Sequence, residues 1–328
     1  MLATNHPNQD EINIFAKSIE KKTKLLARRN YKGIIKQAIH ISPAYRDFVN
    51  KLLSNSALSI APYSGGSCHV VDHGELNNYS KRRKVRIYVN FHEPDTFPHE
   101  LAHSCDFLFG DLCSFSSHVI VRDGKTLEQI FTEEFNEKEP LLYEEVMGAY
   151  ARNIDSNIYK GAYDIFNKYL PLYNKLGDTK NRKERKAIHK ELYESGFVEI
   201  YYQLIKKKCF DIVEQKYCPI MDALSSKHDI TNLYLKGHSL EYYALNKRLL
   251  VQEFFAHAFA DKVTANHTRF DSLIKLMPKS FNAFERLFVL IYDHIMNNKR
   301  FTDMPVLVTA YPDSDIDEDE EEEEICDE

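Results

Sequence analysis

The sequence contains few of the residues that interrupt regular structure. Glycine and proline each occur 11 times among 328 residues and tryptophan is absent, whereas tyrosine and phenylalanine each occur 20 times. This scarcity argues against collagen-like, low-complexity and glycine-punctuated β-barrel proteins. Because 43% of the residues are hydrophobic, the chain can fill a substantial core, and a helix-rich globular protein is favoured.

Cysteines and long apolar runs are also scarce. The six cysteines include no C-x-x-C pair, so a disulfide scaffold is not indicated and a reducing compartment is expected. No apolar run approaches the roughly 18 residues that a membrane span requires, and residues 1–10 lack the apolar core of a signal peptide. We therefore expect synthesis in the cytosol without a signal peptide, and no membrane insertion.

Charge is distributed unevenly along the chain. Residues 313–328 contain 12 acidic side chains and no basic one, while the remaining residues carry 43 basic and 37 acidic side chains. We expect the acidic segment to be a disordered tail, because it has too little apolar surface to bury.

A basic cluster at 81–84 could be a nuclear address or a nucleic-acid contact. A solvated loop is favoured, since no aromatic interleaving or second basic stripe accompanies it, and no nucleic-acid partner is predicted.

Hydrophobic periodicity indicates a single domain over residues 1–312 of the α+β class, mostly helical with a small mixed or antiparallel sheet. Within it we predict N-terminal helices over 1–57, a sheet and a motif helix over 58–126, a helical insertion over 127–217 and a second helical block over 218–312. Strands are expected at 58–60, 69–71, 85–89 and 118–121. In the insertion, Pro140, Pro171 and Gly177 predict helix breaks.

The segment from His99 to His103 has the H-E-x-x-H pattern of zinc peptidases. On a helix, positions i and i+4 lie on one face, so both imidazoles can bind one tetrahedral metal. Glu100 would lie beside that metal, where its carboxylate can accept a proton from an activated water and later deliver it to the leaving amine. The pattern predicts one Zn²⁺ per chain.

A catalytic zinc needs a third protein ligand and groups that orient the ligands. Glu253 is the candidate, because a glutamate flanked by apolar residues is costly to bury unless it is paired or metal-bound. His257, one turn later, is expected to support a ligand or, as the less favoured alternative, to be the third ligand itself. Asp106 could hydrogen-bond a ligating imidazole or form a helix salt bridge. Asp222 is interpreted as a helix cap.

The segments 97–106 and 253–259, with 277–281 after them, resemble the catalytic core of the anthrax lethal factor family of zinc metallopeptidases. The resemblance implies a zincin-like fold of the gluzincin type, with zinc on His99, His103 and Glu253 and with Glu100 as general base. It further implies a protein substrate that lies along an edge strand, which here would be Val85–Val89.

The sequence departs from that family near the site. The family has a tyrosine seven positions before the glutamate ligand, which stabilises the tetrahedral oxyanion, and this sequence has Asn246 there. Nearby side chains could replace it. Tyr243 is the first candidate for the oxyanion donor, followed by Tyr242, and His238 is a weaker one.

The preferred hypothesis is a zinc metalloendopeptidase that hydrolyses a peptide bond in a cytosolic protein of a host cell, with cytoskeletal or signalling proteins as the targets that the family implies. The insertion over 127–217 is the expected specificity element. The acidic C-terminal segment could solubilise the protein, contact a basic patch or be a C-terminal export signal. It resembles the export signals of effectors injected by Legionella-type type IV secretion systems, and this third alternative predicts translocation into a host cytosol. The alternative is a catalytically inactive, zincin-derived scaffold protein with a structural zinc.

Overall fold

The computed structural model describes residues 9–23, 27–55, 57–62, 67–71, 84–91, 93, 96–109, 116, 119–228, 230 and 248–297. The helices are α1 (Gln9–Lys22), α2 (Ala27–His40), α3 (Arg46–Ser54), α4 (Thr96–Phe109), α5 (Leu127–Asn157), α6 (Ala162–Asp178), α7 (Arg182–Glu194), α8 (Phe197–Lys206), α9 (Cys209–Ser225), α10 (Arg248–Thr264), α11 (His267–Leu276) and α12 (Pro278–Asn297). The strands are β1 (Leu58–Pro62), β2 (Ser67–Val71), β3 (Lys84–Val89), β4 (Ile120–Arg122) and β5 (Lys125–Thr126). A predominantly helical protein with a small sheet agrees with the predicted α+β class.

The three-stranded sheet has the order β1-β3-β2. β3 pairs parallel to β1 and antiparallel to β2, so the sheet is mixed, as expected. Val85, Ile87 and Val89 alternate along β3 and are all buried, and β3 packs against α4. The sheet therefore supports the helix that carries the H-E-x-x-H pattern.

The prediction that Val85–Val89 is an edge strand is wrong. These residues lie in β3, the central strand, whose backbone groups pair with neighbours on both sides. Because a strand paired on both sides has no backbone groups left for a third strand, a substrate cannot extend the sheet there. Hydrophobic alternation cannot distinguish a central strand from an edge strand, since both bury one face.

The strand predicted at 118–121 is confirmed in part, as β4. It forms a separate two-stranded hairpin with β5, and His118 lies outside the described residues. The turn between the strands consists of Asp123 and Gly124, with φ angles of 50° and 75°. Positive φ at both positions is the geometry of the two-residue hairpin turn that an Asp-Gly pair favours.

The helical insertion begins where the hairpin ends. Thr126 caps α5 by accepting a hydrogen bond from the backbone of Gln129, whose side chain in turn accepts one from the backbone N–H of Thr126. The predicted breaks at Pro140 and Pro171 are wrong, because these prolines lie inside α5 and α6, whereas α6 does end next to Gly177, at Asp178. A proline removes only its own donor, and the packing of the apolar face of each helix outweighs that loss.

The centre of the protein is a helix that is buried almost all round. In α10, Phe254, Phe255, Ala256, Ala258 and Phe259 are fully buried. α10 packs against α4, α9 and α5, and one hydrophobic cluster extends from α1 to α12. α9 crosses residue 217, the expected end of the insertion, so its C-terminal half reaches the centre of the molecule. No helix in the described part of the chain is long and apolar enough to span a membrane.

Candidate metal centre

The two histidines of the H-E-x-x-H pattern converge on one point. They lie one turn apart in α4, with Pro98 in the first turn, and their Nε2 atoms are 3.2 Å apart. The ring centroids are separated by 4.8 Å and the ring planes are nearly perpendicular. This is the arrangement expected of an i, i+4 pair whose imidazoles face a common ligand.

Glu253 reaches the same point from α10, although it is 150 positions after His103 in the sequence. Its Oε2 lies 3.2 Å from Nε2 of His99 and 3.7 Å from Nε2 of His103. The glutamate side chain is only 6% exposed. The packing of α10 on α4 therefore assembles the three predicted ligands.

The spacing of the three donor atoms fits zinc. In a tetrahedral site with metal–ligand distances of roughly 2.0–2.1 Å, neighbouring donor atoms are about 3.3 Å apart. The observed separations of 3.2, 3.2 and 3.7 Å lie close to that value. Two imidazoles with one carboxylate also form the donor set of a catalytic zinc, which keeps a fourth position open.

The protonation of the histidines depends on burial and on the surrounding charges. Burial, and then the charge of His257, lowers the pKa of His99 to about 4. Burial also lowers the pKa of His103, but Glu253, Glu100 and Asp106 outweigh it, so that this pKa is raised overall. His99 is therefore neutral near pH 7, the form that coordinates a metal.

Glu100, the predicted general base, is buried next to its two histidine neighbours in α4. The residue is 5% exposed, and its carboxylate lies close enough to His103 to raise the pKa of that imidazole. A carboxylate in such a position can exchange a proton with a group bound beside the histidines.

Asp106 lies in the same helix, fully buried, and anchors the segment that follows. Its Oδ1 accepts a hydrogen bond of 2.7 Å from the backbone N–H of Ser116, and its Oδ2 accepts one of 3.1 Å from the Ser116 hydroxyl. Its charge also acts on His103. The hydrogen bond from Asp106 to a ligating imidazole remains a prediction.

His257 lies one turn after Glu253 and packs its ring against that of His99, with centroids 4.5 Å apart. Its Nε2 is 2.9 Å from Oδ2 of Asp222, and Sγ of Cys218 lies 3.6 Å from the same nitrogen. Burial opposes the charge of His257, but Cys218 and Asp222 raise its pKa well above the usual value. His257, which is expected to support a ligand, thus also contacts side chains of a second helix, α9.

Sequence reasoning missed the part played by α9. Asp222 is not a helix N-cap: it lies in the last turns of α9, where its buried carboxylate faces His257. Cys218 lies one turn before it and was not singled out. The spacing of Cys218 and Asp222, i and i+4, is the same as in the H-E-x-x-H pattern and is the signal that could have found them.

The predicted oxyanion donors Tyr243, Tyr242 and His238 lie outside the described residues, as do Asn246 and the acidic segment at 313–328. Comparison of the chain with protein-family models, with curated proteins and with solved structures found no match.

Proposed function

We propose that this protein is a zinc-dependent endopeptidase. The observation that carries the proposal is the convergence of His99, His103 and Glu253 on one point with the donor separations of a tetrahedral zinc site. The bound zinc would polarise the scissile carbonyl and lower the pKa of water.

The residues of the chain have distinct tasks in this reaction. His99, His103 and Glu253 hold the ion from two helices, so that its position is fixed by the packing of α4 on α10. Glu100 takes the proton of the attacking water and delivers it to the leaving amine. A purely structural zinc site would have no need for a buried carboxylate at this position.

The substrate we propose is a protein, and the insertion is the element that selects it. Helices α6, α7 and α8 pack on one another, with Phe166, Tyr173, Phe197 and Tyr201 between them. Exposed apolar side chains remain on α8, among them Val198, Tyr202 and Ile205. Exposed apolar side chains of this kind can take part in the recognition of one protein. A cytoskeletal or signalling protein of a host cell is the proposed target class.

The proposed mechanism is tested by metal content together with cleavage. Glu100→Gln should retain about one zinc at this site, because the ligands are intact, and should lose roughly 10²- to 10⁴-fold in cleavage rate, because the proton acceptor is removed. Zinc is measured by mass spectrometry, and cleavage by mapping new protein N-termini in host-cell lysate. Glu144→Gln, an exposed position in α5, is the matched control and should leave both unchanged.

Full activity of Glu100→Gln would overturn this mechanism.

Asn246, which stands where the lethal factor family has its tyrosine, favours a second candidate function. This is a catalytically inactive scaffold protein with a structural zinc. It predicts zinc binding in the wild type with no new N-termini above those of Glu100→Gln.

We further propose that the protein acts in a host cell after export by a type IV-like secretion system, with the acidic segment at 313–328 as its signal. Removal of residues 313–328 should abolish translocation, which a reporter fused to the N-terminus measures in infected cells. Replacement of the glutamates of this segment by glutamine tests whether charge is the signal. Unchanged translocation of the truncated protein would refute the export role.

A further inference from the structure

Helix α8 carries apolar side chains on its outer face as well as on its inner face. On the outer face, Val198, Tyr202 and Ile205 are 45%, 59% and 52% exposed. The side chains of the inner face are fully buried and consist of Phe197, Ile200 and Leu204. A helix that is apolar on both faces is usually covered on both. The outer face of α8 is therefore a candidate interface.

The three exposed side chains form one stripe. Val198, Tyr202 and Ile205 occupy positions i, i+4 and i+7 of the same helix. With 3.6 residues per turn, these positions lie within about 60° of one another around the helix axis and span about 10 Å along it. Apolar residues at this spacing are the anchors by which one helix packs lengthwise against another. The partner of this stripe is therefore expected to be a helix.

Opposite charges stand at the two ends of the stripe, on the same flank. Glu199 and Lys206 are both exposed and are seven positions apart, so that they lie within about 20° of each other around the helix axis. The Glu199 carboxylate accepts a hydrogen bond of 2.9 Å from the side chain of Gln203, which lies between them in the helix. One flank of the stripe thus begins with a negative charge and ends with a positive one.

This pattern is complementary to itself. When two α8 helices pack antiparallel across a two-fold axis, the beginning of each flank meets the end of the same flank in the other copy. Glu199 then faces Lys206 of the partner subunit at two symmetric places, Val198 packs near Ile205 of the partner subunit, and the two copies of Tyr202 meet near the axis. A two-fold interface requires this property, because both subunits contribute the same patch.

We propose that the outer face of α8 is the interface of a two-fold symmetric dimer of this chain. A helix of 10 residues buries less than the roughly 800 Å² per partner of a stable complex. The dimer is therefore weak and forms as the protein concentration rises. The proposed function assigns the same exposed side chains to the substrate. A second copy and the substrate then compete for this face, and this consequence alone rests on the proposed function.

Sedimentation velocity of the full chain, from about 1 to about 300 μM, tests the dimer. Wild-type protein should shift from monomer to dimer over this range. Tyr202→Ala should raise the dissociation constant roughly tenfold or more, because it removes the aromatic side chain at the centre of the interface. A wild-type protein that stays monomeric at all concentrations would overturn the proposal and leave this face to the substrate.

An exchange of charges tests the antiparallel arrangement. Glu199→Lys and Lys206→Glu should each raise the dissociation constant roughly tenfold, because the two-fold axis turns two attractive pairs into two repulsive ones. An equimolar mixture of these two variants should form a heterodimer about as tightly as wild type, since every lysine then faces a glutamate. Glu144→Lys, the same charge change at an exposed position of α5, is the matched control and should dimerise as wild type.

The mixture also guards against misfolding, because two misfolded variants would not restore each other. A dimer that Tyr202→Ala, Glu199→Lys and Lys206→Glu leave unchanged would place the interface elsewhere and overturn the proposal. Weakening by both charge variants without recovery in the mixture would overturn the antiparallel arrangement.

The dimer and the proposed function fail independently. Glu100→Gln should dimerise as wild type, so absence of cleavage with an intact dimer would refute the proposed function alone. Cleavage by a protein that is monomeric at all concentrations would refute only the dimer. If the substrate uses the same face, wild-type cleavage per chain should fall as the dimer forms, and this fall should be smaller for Glu199→Lys. Constant cleavage per chain during dimer formation would overturn the competition.

Discussion

At the scale of single residues, one buried carboxylate caps a helix that is distant in the sequence. Glu134 in α5 is fully buried and accepts hydrogen bonds from the backbone N–H of Ser280 at 2.7 Å, from the Ser280 hydroxyl at 2.7 Å and from the backbone N–H of Lys279 at 3.1 Å. Those backbone N–H groups belong to the first turn of α12. N–H groups in the first turn of a helix have no intrahelical acceptor, and the helix dipole favours a negative charge beside them. Lys138 adds an ion pair at 3.2 Å.

We therefore expect Glu134→Gln to destabilise the protein by about 1–3 kcal/mol, because it replaces charge-assisted hydrogen bonds by weaker ones in a buried site. Urea unfolding measures the change. Glu133→Gln is the matched control: the neighbouring residue is 60% exposed and pairs only at the surface with Lys125, so its loss should cost at most about 1 kcal/mol. Equal stability of the two variants would contradict the capping role.

At the scale of elements, helix α2 and the segment that follows β3 meet at a position that has no room for a side chain. A Cβ atom on Gly33 would lie 2.6 Å from the carbonyl oxygen of Phe91 and 2.7 Å from its Cβ. Gln37, one turn later, donates a hydrogen bond of 2.7 Å to the carbonyl of Glu93. α2 is thus held against the segment that joins β3 to α4, the helix that carries the two histidines of the proposed metal site.

Gly33→Ala should destabilise the protein by about 1–3 kcal/mol, because backbone atoms must move to admit the methyl group. Gly177→Ala is the matched control in α6, where nothing lies within 4 Å of the added atom. There the substitution should be neutral or stabilise by up to about 1 kcal/mol, since alanine favours the helix. Thermal unfolding of both variants provides the comparison, and a neutral effect at Gly33 would mean that α2 and Phe91 do not pack as closely as described.

At the scale of the whole molecule, the proposed metal ligands connect helices that are far apart in the sequence. His99 and His103 come from α4 and Glu253 from α10, with the whole insertion between them. An ion that binds this arrangement and not the unfolded chain stabilises the fold by mass action.

Removal of zinc with a chelator should therefore lower the melting temperature, and added zinc should restore it. Free zinc at 100 times its dissociation constant contributes about 2.7 kcal/mol, which corresponds to a shift of several degrees. His99→Ala/His103→Ala should lose this response. An identical response in that variant and in the wild type would show that the stabilising zinc binds elsewhere.

The local sequence was sufficient to predict many elements. Periodic apolar positions predicted the N-terminal helices, and alternation predicted β1, β2 and β3. It failed at Pro140 and Pro171, where packing of the helix faces outweighs the local cost of proline. It also failed to identify β3 as the central strand, because strand order depends on contacts between distant segments.

For the candidate site, the sequence by itself determined the residue types of the proposed ligands and the spacing of the two histidines. The H-E-x-x-H pattern places His99, Glu100 and His103 in one helix, and apolar neighbours mark Glu253 as a buried carboxylate, because helical periodicity and the cost of burying charge are local properties. Only the tertiary structure decided that Glu253 meets the histidines and that Cys218 and Asp222 join His257. Their convergence depends on how α4, α9 and α10 pack, which is a property of the complete hydrophobic core and not of any one segment.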